Sequence, residues 1–278
     1  MTKALGILRG KFGRVALLDM DTSLVPHAHP HCHVILKVSG RDQVFTVENE
    51  DFAVREDTAV LVNTWEQHHY AHCNYDERTV FLALYIEPSW LKGADRSFAS
   101  CEKPAFFDRP GVSITNEIRR YRSRLVQCVE CEGYDNSKEV EELIFGLTAA
   151  IAHQFANWRG AGPRDQGATR DFRIRRAMRH MREHLHEPAD FSGLARACGL
   201  SRPHFNYLFR KCAGVTPRLF RNAIRVEESV RALSERDTGL AGVSQELGFS
   251  TQGNFTRFFQ QHTGANPHQF RRVLAELD

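Results

Sequence analysis

Four histidines fall within seven residues in Pro26-His27-Ala28-His29-Pro30-His31-Cys32-His33, and two more follow in Trp65-Glu66-Gln67-His68-His69. Neutral imidazole nitrogen is a ligand for Zn, Cu, Ni and Fe(II), so metal chemistry could be done here. The four histidines share one parity, so an extended strand would turn them to a single face. Neighbours would then lie about 7 Å apart at Cα and the outer pair about 20 Å apart. At that span all four cannot hold one ion, but two of them plus a distant histidine can. His68, after the apolar run 59–62, is the natural third. The candidate metal set is His27, His29, His33 and His68. Without a metal, the same side chains would line a pocket for an organic effector. Cys32, His72 and Cys73 lie nearby with no diagnostic spacing and read as bystanders.

A second chemistry sits in the last third of the chain, which is written twice. Gly214-Val-Thr-Pro217-Arg-Leu-Phe220-Arg221 recurs as Gly264-Ala-Asn-Pro267-His-Gln-Phe270-Arg271, and at the same offset Phe205 and Phe209 meet Phe255 and Phe259. A one-residue slip aligns Leu194, Gly199, Leu200 and Ser201 with Val243, Gly248, Phe249 and Ser250. Six identities at one offset mark a duplicated unit. Each unit reads as helix, Gly turn, helix, with Ser201 and Ser250 as expected N-caps. The buried stripes are Phe205, Leu208, Phe209 in one unit and Phe255, Phe258, Phe259 in the other. This is the helix-turn-helix pattern, whose second helix enters the DNA major groove.

If those stripes are buried, the outward residues are Arg202, Pro203, Asn206, Tyr207 and Arg210 on the first reading helix. On the second they are Gln252, Gly253, Thr256, Arg257 and Gln260. Arg257 is the candidate for a bidentate contact to guanine, and Gln252 and Asn206 for contacts to adenine. Tyr207, at the position matched to Arg257, would meet a thymine methyl or a phosphate. Lys211, Arg218, Arg221 and Arg271 are candidates for phosphate positioning. Between the units, Thr216 and Pro217 open a helix that nothing interrupts to Glu235. Its length of roughly 28 Å, against about 34 Å per turn of B-DNA, fits a strut that holds two reading helices in successive grooves.

The tail from about 172 to 274 resembles the DNA-binding domain of AraC/XylS-family transcription regulators. The likeness is carried by the paired helix-turn-helix units, the linking helix with Arg225, Gly248-Phe249 before the second reading helix, and the closing Gly-x-x-Pro-x-x-Phe-Arg. Ser244 stands where the family usually has Ala, and Leu240 and Val243 replace isoleucines. The match covers about 100 residues.

The elements that must position the histidines are β-rich. Short runs at 15–18, 34–38, 44–47, 52–54, 59–62 and 80–86, separated by polar or Gly turns, read as an antiparallel sandwich or barrel. The passage 90–111 reads as loop-rich, with Pro88, Pro104 and Pro110 discouraging long elements. Two helices follow. One carries Ile114, Ile118, Tyr121 and Leu125 on one stripe, the other Val140, Leu143, Ile144, Leu147, Ile151 and Phe155. This hairpin could pack on the β unit, pair with a second copy, or both. The front is similar to the cupin sensor domains of many AraC-family regulators over about 75 residues. His27-Ala-His29, His33 and Gly40 stand for their first motif, with His33 at a position often Glu or Gln, and His68 ends the second. Glu56-Asp57 replaces the usual Gly-Asp, and Asn63 stands near the usual Pro.

The expected fold class is α+β in two domains. Residues 1–158 form a cupin-like antiparallel β-barrel with a helical hairpin at about 114–158, and 159–171, rich in Gly, form a linker. Residues 172–278 form an all-α domain with helix-turn-helix units at about 190–212 and 239–262. The tail from Arg170 carries 18 Lys and Arg against 11 Asp and Glu, a net +7, while the rest carries 19 against 23. A basic tail on an acidic front fits a polyanion-binding module joined to something else. No run of about 20 apolar residues exists, the first residues make a poor signal peptide, and seven scattered cysteines favour reduced thiols, so a cytoplasmic setting is expected.

The function these readings support is a sequence-specific transcription regulator, controlled by a small-molecule or metal effector in the front domain. The family resemblance implies promoter DNA as partner, a homodimer, and an activator that works with RNA polymerase. A divalent Zn, Ni, Cu or Fe is the candidate cofactor. The alternative is a metal-dependent cupin enzyme fused to a DNA-binding tail. No separate acid, base or nucleophile constellation accompanies the histidines, so the chain is read as a non-enzyme.

Overall fold

The computed structural model describes residues 2–72, 77–102, 106–155, 171–235 and 238–277. The β-rich front is built from β1 (Lys3–Gly10), β2 (Gly13–Met20), β3 (Cys32–Gly40), β4 (Gln43–Val47), β5 (Glu50–Val54), β6 (Thr58–Val62), β7 (His68–Tyr70) and β8 (Thr79–Ile86). After α1 (Pro88–Ala94) and a 3-10 turn, β9 (Gly111–Ser113) joins the same sheet. Expected as loop-rich, this passage holds α1 because Pro88 occupies the helix's first turn, where a missing N–H costs nothing. The hairpin is α2 (Asn116–Glu130) and α3 (Ser137–Phe155).

The larger sheet runs β10-β1-β2-β8-β3-β6-β9 and the smaller β5-β4-β7, where β10 is Leu274–Glu276 at the far end of the chain. The central strands are covered on both sides. Val15, Leu17, Val34, Leu36, Leu82 and Leu84 face one way, onto Ile118, Leu125, Ile144, Leu147 and Ile151 of the hairpin. The alternate residues Ala16, Leu18, Ile35, Val60, Val62, Phe81 and Ala83 face the other way, toward Phe45, Val47 and Tyr70 of the smaller sheet. The hairpin's apolar stripe is therefore spent on its own sheet.

The C-terminal half is helical, as its pattern indicates: α4 (Phe172–Glu183), α5 (Phe191–Ala197), α6 (Arg202–Ala213), α7 (Pro217–Ser234), α8 (Leu240–Glu246), α9 (Gln252–Thr263) and α10 (Pro267–Val273). Ser201 caps α6, and Thr216 caps α7 with Pro217 in its first turn. One cap differs from expectation. Thr251, not Ser250, caps α9 by accepting from the Asn254 amide at 3.2 Å. The turn of the second unit is one residue longer, so Ser250 is displaced and accepts from the Asn254 side chain instead. Both units end alike, on Gly214 and Gly264 at φ 76° and 79°, a left-handed conformation that favours glycine. The linking helix α7 has 18 residues, or roughly 27 Å.

The two halves share a core. Val230, Leu233, Val243, Leu247, Phe255, Phe259, Ala265 and Phe270 belong to the same buried cluster as Ala4, Ile7, Leu18, Phe81 and Tyr85. Trp65 stacks on Phe220 of α7, with ring centroids 5.0 Å apart. The Val25 amide donates to the Gln261 carbonyl at the end of α9, at 3.1 Å. Beyond α10, β10 pairs in parallel with β1 from Ile7↔Leu274 to Arg9↔Glu276, and Leu277 is buried in the hairpin-side core. Of the expected linker 159–171, residues 159–170 lie outside the described residues, as does Cys73, while Asp171 caps α4 by accepting from the Arg173 amide.

Candidate functional site

The histidines converge, but not by the route their spacing implies. Residues 27–31 are not an extended strand. His27 forms an isolated antiparallel bridge with His68, and the chain bends at Pro30 and His31 before β3 begins at Cys32. The bend shortens the span, so ring centroids lie 4.3 Å apart for His27 and His68, and 4.9 Å for His29 with either His68 or His33. Two histidines of the run and the distant His68 come together, as expected, and with His33 their rings form one buried cluster; only the extended geometry assumed for 27–33 is corrected. Donor atoms of His27, His29 and His68 all lie within 4.8 Å of one another. His33 stands beside this triad, stacked on Tyr85 at 4.2 Å.

The backbone fixes the tautomers. Nδ1 of His27 donates to the Val25 carbonyl at 2.8 Å, that of His33 to Leu84 at 2.9 Å, and that of His68 to Glu66 at 3.0 Å. His29 Nδ1 donates to the His31 carbonyl at 3.2 Å. A carbonyl brings no proton, so each Nδ1 carries one and each Nε2 keeps its lone pair. The Nε2 atoms of His29 and His68 are buried with no hydrogen-bond partner among the described residues. Such orphaned acceptors are costly, and carbonyl-anchored imidazoles are the arrangement seen around bound metals. Burial pushes the pKa of His27 and His29 well below the usual imidazole range, and those of His33 and His68 down to about 3. These rings are neutral at pH 7, as ligation requires. A tetrahedral zinc needs nitrogens roughly 3.4 Å apart, given bonds of about 2.0 Å. The triad thus closes on an ion by side-chain shifts of about 1.5 Å or less. The residues present fit a nitrogen-ligated transition metal.

The nearby soft donors point elsewhere. Cys32 is buried with its thiol on the Cys101 carbonyl, and His72 bonds the Tyr70 hydroxyl at 2.6 Å. His31 turns outward from the triad toward Glu87 at 3.5 Å and Glu227 of α7 at 3.8 Å.

The depressed histidine pKa values carry a stability consequence. An unfolded histidine titrates near 6.5, so below that pH the unfolded chain binds protons that the folded one refuses, and stability falls. For the metal-free protein, each such histidine is expected to cost up to about 2 kcal/mol by pH 5. The thermal midpoint therefore drops between pH 7 and pH 5, and a His33→Gln variant drops less. An equal drop in both proteins would remove His33 from the account.

The reading helices present their expected faces in part: Leu208 and Phe258, expected in the buried stripes, are half-buried. Phe205, Phe209, Phe255 and Phe259 are fully buried. Pro203, Asn206, Tyr207, Arg210, Gln252, Gly253 and Arg257 are exposed, while Arg202, Thr256 and Gln260 are half-buried. Arg202 packs over the Phe191 ring at 5.0 Å. Arg202, Asn206, Tyr207, Arg210, Lys211 and Arg218 line one open groove. His204 and Asn254, at matched positions in the first turns, are also exposed and were not picked out from sequence. Arg221 was expected at phosphates but is buried, donating to the carbonyls of Leu185 and Glu187, so it is structural. Arg225 likewise holds the Leu247 and Gly248 carbonyls and packs over Phe249 at 4.2 Å.

Comparison with known proteins agrees with this geometry. Residues 18–147 match the family described as AraC-like ligand binding domain, and residues 194–273 match a helix-turn-helix domain family. The HTH-type transcriptional regulator YobQ of Bacillus subtilis is 33% identical over 95 residues, which are 34% of this chain and 39% of that one. The arabinose operon regulatory protein of Escherichia coli is 31% identical over 107 residues, 38% of this chain and 37% of that one. The match thus spans less than half the length of either relative. ToxT from Vibrio cholerae superposes over 99% of this chain and 98% of its own, with a TM-score of 0.53 and 12% identity, a likeness of fold.

Proposed function

The chain belongs to the AraC family of DNA-binding transcription regulators, with a ligand-binding domain ahead of its helix-turn-helix domain, and we propose that it is a metal-controlled, sequence-specific activator. In this reading residues 1–158 sense, 159–171 link, and 172–278 read promoter DNA as a homodimer in the cytoplasm, with RNA polymerase as the partner in activation. The effector is a divalent Zn, Ni, Cu or Fe ion on His27, His29 and His68, with His33 adjacent. When bound, the ion would cross-link β7 to the 27–29 segment. The observation that carries the metal reading is the pair of buried, unpartnered Nε2 atoms on His29 and His68.

The DNA reading rests on two matched exposed faces held by buried phenylalanines. Arg257, Gln252 and Asn206 are the base-contact candidates. Pro203, Gly253, Thr256 and Gln260 would shape the fit, and Arg202, Tyr207 and Arg210 would reach backbone or bases. A duplex pool selected on the wild-type protein gives the test sequence. On it, Arg257→Ala is expected to lose about 1–3 kcal/mol of affinity, roughly 5- to 150-fold, with little change on random DNA. No enriched sequence, or an unchanged affinity ratio, would defeat specific reading by this helix. Metal-dependent binding to the selected duplex tests the effector. Turnover of an oxidisable substrate by the metal-loaded protein would favour the enzyme alternative.

A further inference from the structure

The cleft in front of the histidine site has walls from both halves of the chain. Arg14, His27, Ala28, His29 and Tyr85 form one side. Ala223, Val226 and Glu227 of α7, with His262 and Thr263 of α9, form the other. Its volume is about 20 Å³. One water needs roughly 10–15 Å³, so as it stands the cleft has room for a single water or ion. Among the described residues, Glu227 is the one carboxylate on these walls. It lies 3.7 Å from Arg14, whose guanidinium is over the Tyr85 ring, and 3.8 Å from His31 Nδ1.

Three neutral imidazoles leave a divalent cation with its full charge, and a buried charge is tolerated only with a partner. The barrel itself offers His33 where a carboxylate would serve. We propose that Glu227 supplies the missing anion from the DNA-binding half, making the histidine site an interdomain metal site. The inference rests on the metal reading above and adds the residue that transmits it. A cation on His27, His29 and His68 draws the Glu227 carboxylate away from Arg14, directly or through one water. Ion binding and the docking of α7 on the barrel then strengthen each other by the same factor. Because α7 joins the two reading units, the ion acts on the element that sets their placement.

The test uses the full-length protein and Zn²⁺, titrated against a chromophoric chelator. Glu227→Gln, which keeps shape and removes charge, is expected to bind Zn²⁺ about tenfold more weakly or worse. In the wild type, Zn²⁺ slows amide hydrogen exchange in α7 and β10; in Glu227→Gln it does not. Wild-type affinity together with the same exchange protection in that variant overturns the inference and leaves the metal reading standing. A wild type that binds no Zn²⁺ overturns both. Should Glu227→Gln fail to fold, Arg14→Gln decides. Freeing Glu227 from its arginine tightens Zn²⁺ binding, and unchanged or weaker binding overturns the proposal.

Discussion

Protein of residues 1–278 carrying His29→Ala and His68→Ala together is expected to bind none of the metal proposed for the histidine site. These two side chains bury the unpartnered Nε2 atoms, and with His27 they supply all three donors that lie within 4.8 Å of one another. His27 and His33 remain, but with two of the three close donors gone no chelating set is left, so affinity should fall by at least about 100-fold. Elemental mass spectrometry of untagged wild-type and variant proteins reads the result. Near-stoichiometric metal in the first and none in the second is the expected outcome. A wild type that stays empty after loading with Zn, Ni, Cu and Fe(II) would sink the metal reading, and the imidazoles would then be the lining of an effector pocket.

Phe259→Ala is the second large effect. Phe259 is fully buried, edge-on to Phe270 at 5.1 Å and 5.9 Å from Phe255, inside the cluster that continues into β1, β2 and β8. Removing a buried ring typically costs about 3–5 kcal/mol. Here the cavity opens where α9 meets the barrel, so the variant should lose DNA binding and domain docking together. Urea denaturation followed by two probes, one in each half, measures it. Tyr207→Ala, at a residue 63% exposed on α6, serves as the contrast and should stay within about 0.5 kcal/mol of wild type. A loss under about 1 kcal/mol for Phe259→Ala would mean that this ring does not tie the halves together.

Much of the architecture is legible in the sequence because it is local. Val34 to Val38 and Val80 to Ile86 alternate between two covered faces, and the duplicated phenylalanines mark both reading helices by spacing alone. The histidine site was legible only in its residues. Parity assumed an extended chain through 27–33, but Pro30 and the His31 bend fold that segment back, so His29 and His33 come together. Arg221 matched a motif position and looked like a surface cation; only the packing of α7 on the turn after α4 reveals that its guanidinium caps the Leu185 and Glu187 carbonyls. Glu227 and His262 carried no signal at all. Each is an ordinary polar residue on a helix, and each faces the cleft only because the two halves dock.

The strand β10 bears on how the protein can be dissected. Its hydrogen bonds cover the outer side of β1, and Arg9 pairs with Glu276 at 2.8 Å across that join. A sensor fragment cut near residue 158 would carry β1 as a bare sheet margin with a free row of N–H and C=O groups, a template for another chain. Such a fragment should self-associate or precipitate through that margin, and any dimer it forms would report the cut rather than the native assembly. A fragment in which residues 274–277 are restored behind a short Gly-Ser tether should stay dispersed.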